Sequence, residues 1–358
     1  MRMEIGSFYE MEEVKADADK VSIFDYIGGV LSGKGCYLSS GREAIEAAIM
    51  CIEKNANIKK SCILPLYTCD TVVIPFVEHG FDIWFYDIDE TLNVDTEKLS
   101  QLYNKVKPGV MLLHTYYGCD NIVSVREMIN DLRKRDGLVV IEDFTQSLFL
   151  MDRVIPVANY YVGSLRKWFP VPDGGFILSD SKIEVATSGE NSEYVDMKNE
   201  AQCLKYRYLQ GLVPDKERAL ALNRKSEDYL YEMDCLYDMS KTAAEKLSII
   251  DIRVIVSRRN ENAAYLINNI SNLNNLRYKK NSVLRQFNSK RDFNFSNSKN
   301  NILQNYNNIS NNSINSSSSS LNSLNKKKLR LSNYLSQNNS INKRKSLQKI
   351  RSEEHTSE

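Results

Sequence analysis

The sequence is poor in the residues that build metal centres or disulfide frameworks. Its 358 residues include only three histidines, and none of the seven cysteines stands in a Cys-x-x-Cys pair. Zinc sites and redox pairs rely on such spacings, so we expect no metal site. Free thiols fit a reducing compartment, and we therefore expect a cytoplasmic protein.

Long apolar runs and an excess of one charge are also absent from the sequence. No run reaches the roughly 18 apolar residues that a membrane helix requires, and the start lacks the apolar stretch of a secretory signal. Lys and Arg total 47 against 46 for Asp and Glu, so net charge does not favour nucleic acid or a membrane as partner. The length permits an enzyme with one large and one smaller domain.

Short apolar runs alternate with amphipathic helical patterns from residue 36 to about residue 180. This alternation is typical of a parallel sheet covered by helices, so we predict an α/β fold with a mostly parallel sheet. We expect an N-terminal segment over residues 1–35 and the large domain over residues 36–225. The predicted strands are SCILPL, FDIWFYDI, GVMLLHTYYG, GLVVIEDF, YYVGSL and GGFILSD.

The composition changes toward the end of the chain. Residues 226–275 have a helical pattern and are predicted to begin a small C-terminal domain that stays incomplete. Residues 276–358 are rich in Asn and Ser and too poor in apolar residues for a core, which predicts a disordered tail. The ending RSEEHTSE resembles a translated sequencing adapter, which favours an artefactual tail over a genuine Asn/Ser-rich one.

Three segments carry residues that point to chemistry. In YLSSGREAIEAAI, Ser40 and Glu43 form a capping-box pattern at a helix start, where backbone N–H groups can bind an anion next to Gly41. A plain helix cap is the alternative. VVIEDFTQS brings Asp143 to the end of a strand, the edge where open α/β sheets bind ligands, and capping of the next helix is its alternative. In YYVGSLRKWFPVPDGG, Lys167 follows a short strand.

The order of these segments resembles the DegT/StrS sugar aminotransferase family of fold-type I pyridoxal-phosphate enzymes. The resemblance extends from about residue 36 to 270 and includes CILPLYTCDTVVIPFVEHGFDIWFYDIDETLNVDTEKL, HTYYG, IEDFTQS and GSLRKWFPVPDGG. It implies a large domain of the pyridoxal-phosphate transferase fold. In this chain the spacing from Ser164 to Lys167 is about two residues shorter than in the family, which indicates a divergent branch.

The resemblance also implies roles for individual residues. Lys167 would form the Schiff base with pyridoxal 5'-phosphate and shuttle the substrate proton, while Asp143 would hold a proton on the pyridine nitrogen. Gln146 would lie beside the ring hydroxyl.

The phosphate would be held by Gly41, Arg42 and Ser164. The family places an aromatic ring on the cofactor where this chain has Cys69, and Tyr67 is the replacement that we expect.

The resulting hypothesis is an aminotransferase that moves an amino group from an amino acid to a ketosugar or related carbonyl acceptor. The family builds its sites from two subunits, so a homodimer is implied. The alternatives are a non-catalytic or truncated relative and another pyridoxal-phosphate reaction such as a lyase.

Overall fold

The structure is a computed structural model that describes residues 8–10, 20–30 and 34–270. Its centre is a seven-stranded sheet with the strand order β1-β7-β6-β5-β4-β2-β3. The strands are β1 (Lys34–Leu38), β2 (Ser61–Pro65), β3 (Asp82–Tyr86), β4 (Val110–His114), β5 (Val139–Asp143), β6 (Tyr160–Ser164) and β7 (Gly175–Ser179). The predicted tail lies outside the described residues.

Nine α-helices are described, together with 3-10 helices at Val123–Val125 and Leu148–Arg153. The α-helices are α1 (Ile23–Val30), α2 (Gly41–Glu53), α3 (Asp70–Glu78), α4 (Thr96–Val106), α5 (Arg126–Asp136), α6 (Ser192–Leu209), α7 (Glu217–Glu232), α8 (Lys241–Ile249) and α9 (Ile252–Ile270).

Five neighbouring strands of the sheet, β3, β2, β4, β5 and β6, run parallel to one another, whereas β7 is antiparallel to both β6 and β1. The predicted α/β class with a mostly parallel sheet is therefore confirmed. The six predicted strand segments match β2 to β7, and β1 is an additional edge strand. Because parallel strands end at a common edge, the segments after β2, β4, β5 and β6 converge there.

Apolar side chains bury both faces of the sheet, as the continuous apolar composition of its strands requires. One face packs against α2 and α3 through residues such as Ile45, Ile49 and Phe76. The other face packs against α4, α5 and the segment around α8, where Ala243 and Leu247 are fully buried.

The chain after α7 returns to the sheet. Ser39 donates its backbone N–H to Tyr237 at 2.9 Å, and Met239 donates to Tyr37 at 3.2 Å. The predicted boundary after residue 225 falls inside α7, and the domain division stays a prediction. Within the described ranges, no helix has the length and apolar character needed to cross a membrane.

Candidate active site

The carboxyl edge of the sheet brings Lys167, Asp143 and His114 together. His114 ends β4 and Asp143 ends β5, and the two residues are direct partners in the parallel ladder. Nε2 of His114 lies 3.7 Å from Oδ2 of Asp143, and both side chains are almost completely buried. Lys167 is exposed in the loop after β6. The sequence reasoning had given His114 no role at the site.

Charge and burial at this edge favour a neutral histidine. Burial lowers the pKa of His114, the nearby Asp143 carboxylate opposes this effect, and the positive charge of Lys167 lowers it further. At neutral pH His114 therefore carries no charge and does not serve as a counter-charge for Asp143.

The neighbouring acid Glu142 faces away from the site. Successive residues of a strand point to opposite faces, and Glu142 binds the buried Arg126 with Oε1 to Nη2 at 2.7 Å. Asp143 instead accepts the backbone N–H of Thr145 at 2.7 Å. The strand alternation thus agrees with the choice of Asp143 over Glu142.

The start of α2 lies against the end of β6. Ser40 caps the helix, since its Oγ accepts the N–H of Glu43 at 3.2 Å and donates to the Glu43 carboxylate at 2.8 Å. A Cβ atom on Gly41 would lie 2.9 Å from Cβ of Ser164, so a larger residue would push the helix start away from β6. The first N–H groups of a helix have no intrahelical acceptor, and here the helix start lies against the backbone and Cβ of Ser164.

The side chain of Arg42 contacts residues of α3 and α7. Its guanidinium donates to the Leu230 carbonyl at 2.6 Å and to Glu78 at 3.3 Å, and it covers the ring of Tyr231 at 5.6 Å. These contacts tie α2 to α3 and α7, so the structure shows a packing role for the guanidinium. Phosphate binding by Arg42 stays a prediction that these contacts do not support.

Tyr67 and Cys69 follow β2 on the same edge. Tyr67 Oη lies 3.0 Å from Tyr117 Oη, and the Tyr67 carbonyl accepts a hydrogen bond of 2.6 Å from the buried Tyr116 hydroxyl. The ring of His114 stacks against Tyr116 with centroids 5.1 Å apart. The placement of Tyr67 in this aromatic group is compatible with a ring contact to a ligand, and that role stays a prediction.

Several buried polar atoms at this edge have no hydrogen-bond partner within the described part of the chain. They are Oγ1 of Thr68, Nδ1 of His114, Oγ1 of Thr115 and Oε1 of Gln146. Buried polar groups in proteins are almost always bonded, so such a group of unpartnered atoms at a ligand edge indicates a polar ligand. Gln146 is among them, at the position that the sequence assigned to the ring hydroxyl of the cofactor.

These residues fit pyridoxal phosphate. The edge combines a lysine amino group, a buried carboxylate, free N–H groups at a helix start and unpartnered donors and acceptors. Thr68, Thr115 and His114 were missed from the sequence because a threonine or histidine at a strand end has many structural uses. The sequence signal that could have identified them is their common position at or just after the ends of β2 and β4.

The chain was compared with known families and structures. Residues 24–155 match the model of the DegT/DnrJ/EryC1/StrS aminotransferase family, which confirms the family resemblance over that segment. The match contains Gly41, Asp143 and Gln146 and ends before Ser164 and Lys167. No curated protein matches the chain.

The solved structures to which this chain is similar include the following three proteins. The sugar aminotransferase CalS13 from Micromonospora echinospora is 15% identical, with 73% of each chain covered and a TM-score of 0.43. A DegT DnrJ EryC1 StrS aminotransferase from Brucella abortus is 15% identical over 70% of this chain and 62% of its own, with a TM-score of 0.42.

The third is the E. coli GDP-4-keto-6-deoxy-D-mannose-3-dehydratase with bound hydrated PLP, 17% identical over 69% of this chain and 64% of its own, with a TM-score of 0.45. The chain thus spans less than two thirds of the Brucella and E. coli proteins.

Proposed function

We propose that this chain is a pyridoxal-phosphate aminotransferase that moves an amino group from an amino acid to a ketosugar or related carbonyl compound. The observation that carries the proposal is the meeting of Lys167 and the buried Asp143 at one sheet edge with unpartnered polar atoms around them. The family match over residues 24–155 supports the same reading.

The residues at the edge divide the task of holding the cofactor. Gly41 and Ser164 would provide donors for the phosphate at the start of α2, where a helix N-terminus stabilises negative charge. Asp143 would keep a proton on the ring nitrogen, and Gln146 would bind the ring hydroxyl. When bound, pyridoxal phosphate supplies a covalent attachment point for amines and an electron sink for the substrate carbon.

Lys167 is exposed at the ligand edge of the sheet. Its Nζ belongs to a loop between β6 and β7, so it can reach a substrate that enters from solvent. Because the neighbouring His114 is neutral, it places no positive charge beside the Asp143 carboxylate. We assign Lys167 to attachment and to proton movement at the substrate carbon, and Asp143 to electrostatic stabilisation.

The first experiment tests the attachment. The protein is mixed with pyridoxal phosphate, reduced with borohydride and digested, and the modified peptide is identified by mass spectrometry. We expect the label on Lys167 in the wild type and no label in Lys167→Ala. Lys134→Ala is the matched control, because Lys134 is an exposed lysine on α5.

The outcomes separate the rival functions. Labelling spread over surface lysines, or full labelling in Lys167→Ala, would contradict the proposal and favour a non-catalytic relative. Specific labelling without amino transfer to a carbonyl acceptor would favour a lyase or another reaction on the same cofactor. We further propose a homodimer on the family resemblance and a cytoplasmic location on the free thiols, and sedimentation of the loaded protein tests the dimer.

A further inference from the structure

A cluster of charged side chains lies between the Lys167 loop and the helix pair α6–α7. Nη1 and Nη2 of Arg166 donate to the two carboxylate oxygens of Glu227 at 2.8 and 2.9 Å. Lys198 of α6 contacts the same carboxylate and donates to Oδ1 of Asn223 at 2.9 Å. Two cations therefore share one carboxylate, and the bonded cluster carries one positive charge in excess.

Lys198 is the more deeply buried of the two cations, whereas the side chain of Glu227 is 37% exposed. Lys198 is only 4% exposed. Burial and the neighbouring Arg166 lower the pKa of Lys198 to about 8, although Glu227 opposes them. At neutral pH the amino group is still mostly protonated. A buried cation without a full counter-charge is unfavourable, so the site gains from an anion.

Two buried donors of the same cluster have no acceptor among residues 8–10, 20–30 and 34–270. They are Nε of Arg166 and the hydroxyl of Tyr194. Tyr194 is fully buried, and Lys198 Nζ lies 5.8 Å from the centre of its ring. A buried donor that lacks an acceptor destabilises the protein, so oxygen atoms of a ligand would stabilise both groups.

Two further carboxyl groups lie in the electrostatic neighbourhood of Tyr194 but are engaged elsewhere. Glu43 accepts the backbone N–H of Tyr237 at 2.9 Å and the Ser40 hydroxyl at 2.8 Å. Asp173 accepts the backbone N–H and the hydroxyl of Ser240. Neither carboxyl group forms a hydrogen bond with the Tyr194 hydroxyl, which leaves that donor for a ligand.

The cluster is adjacent to the attachment lysine. Arg166 precedes Lys167 in the chain, and both interact electrostatically with Cys69 at the start of α3. An anion held by the cluster would lie beside the loop that carries Lys167. A singly charged, planar carboxylate matches one excess positive charge and the fork of an arginine, whereas a phosphate group carries about −1.5 to −2 charges.

We infer that Arg166, Lys198 and Tyr194 form a recognition site for a carboxylate of the reacting substrate, with Glu227 holding the two cations in place. This inference rests on the proposed function, since it concerns a substrate bound at Lys167. It gives the helix pair α6–α7 a part in substrate selection.

The test measures binding of glutarate, a dicarboxylate with neither an amino nor a carbonyl group to react, to the protein loaded with pyridoxal phosphate. Calorimetry should show at least about tenfold weaker binding in Lys198→Met, equivalent to about 1.4 kcal/mol. Lys198→Met keeps the Arg166–Glu227 pair. Arg218→Met is the matched control, because Arg218 is an exposed cation paired with Glu200 across the same two helices.

Tyr194→Phe provides an independent measurement. It removes an unsatisfied buried hydroxyl while keeping the ring, so the ligand-free protein should melt at a higher temperature and yet bind glutarate more weakly. A merely structural hydroxyl would change stability without changing the glutarate affinity, and that result would overturn the inference.

The remaining outcomes are equally decisive. Unchanged glutarate affinity in Lys198→Met, or no glutarate binding to protein that borohydride labels on Lys167, would refute the inference and leave the proposed function intact. Failure of the labelling itself would refute the proposed function. If Lys198→Met lost the preference for pyridoxal phosphate over pyridoxal, the cluster would bind the cofactor phosphate, and the inference would be wrong.

Discussion

Replacement of Arg126 by methionine should strongly destabilise the protein. Arg126 is 3% exposed and donates to both carboxylate oxygens of Glu142, to Asp120 and to the Ile155 carbonyl. Glu142 is completely buried. Removing the cation leaves this carboxylate without a counter-charge, and breaking a buried pair in this way costs about 3–5 kcal/mol.

Comparison with an exposed ion pair separates the cost of breaking the buried Arg126–Glu142 pair from ordinary surface effects. Urea unfolding at pH 7 of Arg126→Met is compared with Arg135→Met, in which an exposed arginine of the same helix loses its pair with Asp136. The exposed pair should contribute no more than about 1 kcal/mol to the free energy of unfolding. Adding Glu142→Leu to Arg126→Met should recover much of the loss, because the unpaired charge is then gone.

One result would refute this reasoning. If Arg126→Met cost no more than Arg135→Met, the buried carboxylate would not depend on the arginine. Protonation of Glu142 would soften the loss at low pH, because burial already raises the pKa of this group and Arg126 opposes the rise. The destabilisation should therefore grow as pH increases.

The sequence predicted the parts of the fold that follow from local pattern. Alternating apolar runs and helices identified β2 to β7, and the position of Asp143 at the end of its strand identified it as a candidate at the ligand edge. Edge strand β1 was missed because KGCYL has little apolar content and pairs only with β7. Its partner strand, β7, lies far along the chain, so the local sequence around β1 does not predict this pairing.

The unpredicted part of the site depends on contacts between distant segments. One partner of Arg42 is the Leu230 carbonyl, 188 residues away, and this contact helps to hold its guanidinium away from the site. Arg166 meets Glu227 across 61 residues. Spacing in one sequence cannot reveal such pairs, because they arise when the helix pair α6–α7 packs beside the Lys167 loop.

Two further predictions concern the carboxyl groups of the site region. Asp143→Ala should retain attachment at Lys167 but lose about 3 kcal/mol of electrostatic stabilisation, or roughly a hundredfold in kcat, and a wild-type rate would contradict its role. Glu43→Gln tests pH dependence, because burial raises the pKa of Glu43 from 4.5 to about 7 against hydrogen bonds from Tyr237 and Ser40. A raised carboxyl pKa means that the folded protein binds the Glu43 proton more tightly than the unfolded protein does. The stabilisation that this proton gives to the folded protein is therefore complete below about pH 4.5 and is lost as pH rises through about 7. Because glutamine does not titrate, Glu43→Gln loses no stability in this way as pH rises. Its free energy of unfolding relative to the wild type should increase by roughly 2 kcal/mol between pH 5 and pH 8 in urea titrations. An identical pH slope in both proteins would mean that Glu43 titrates normally in the folded state despite its burial.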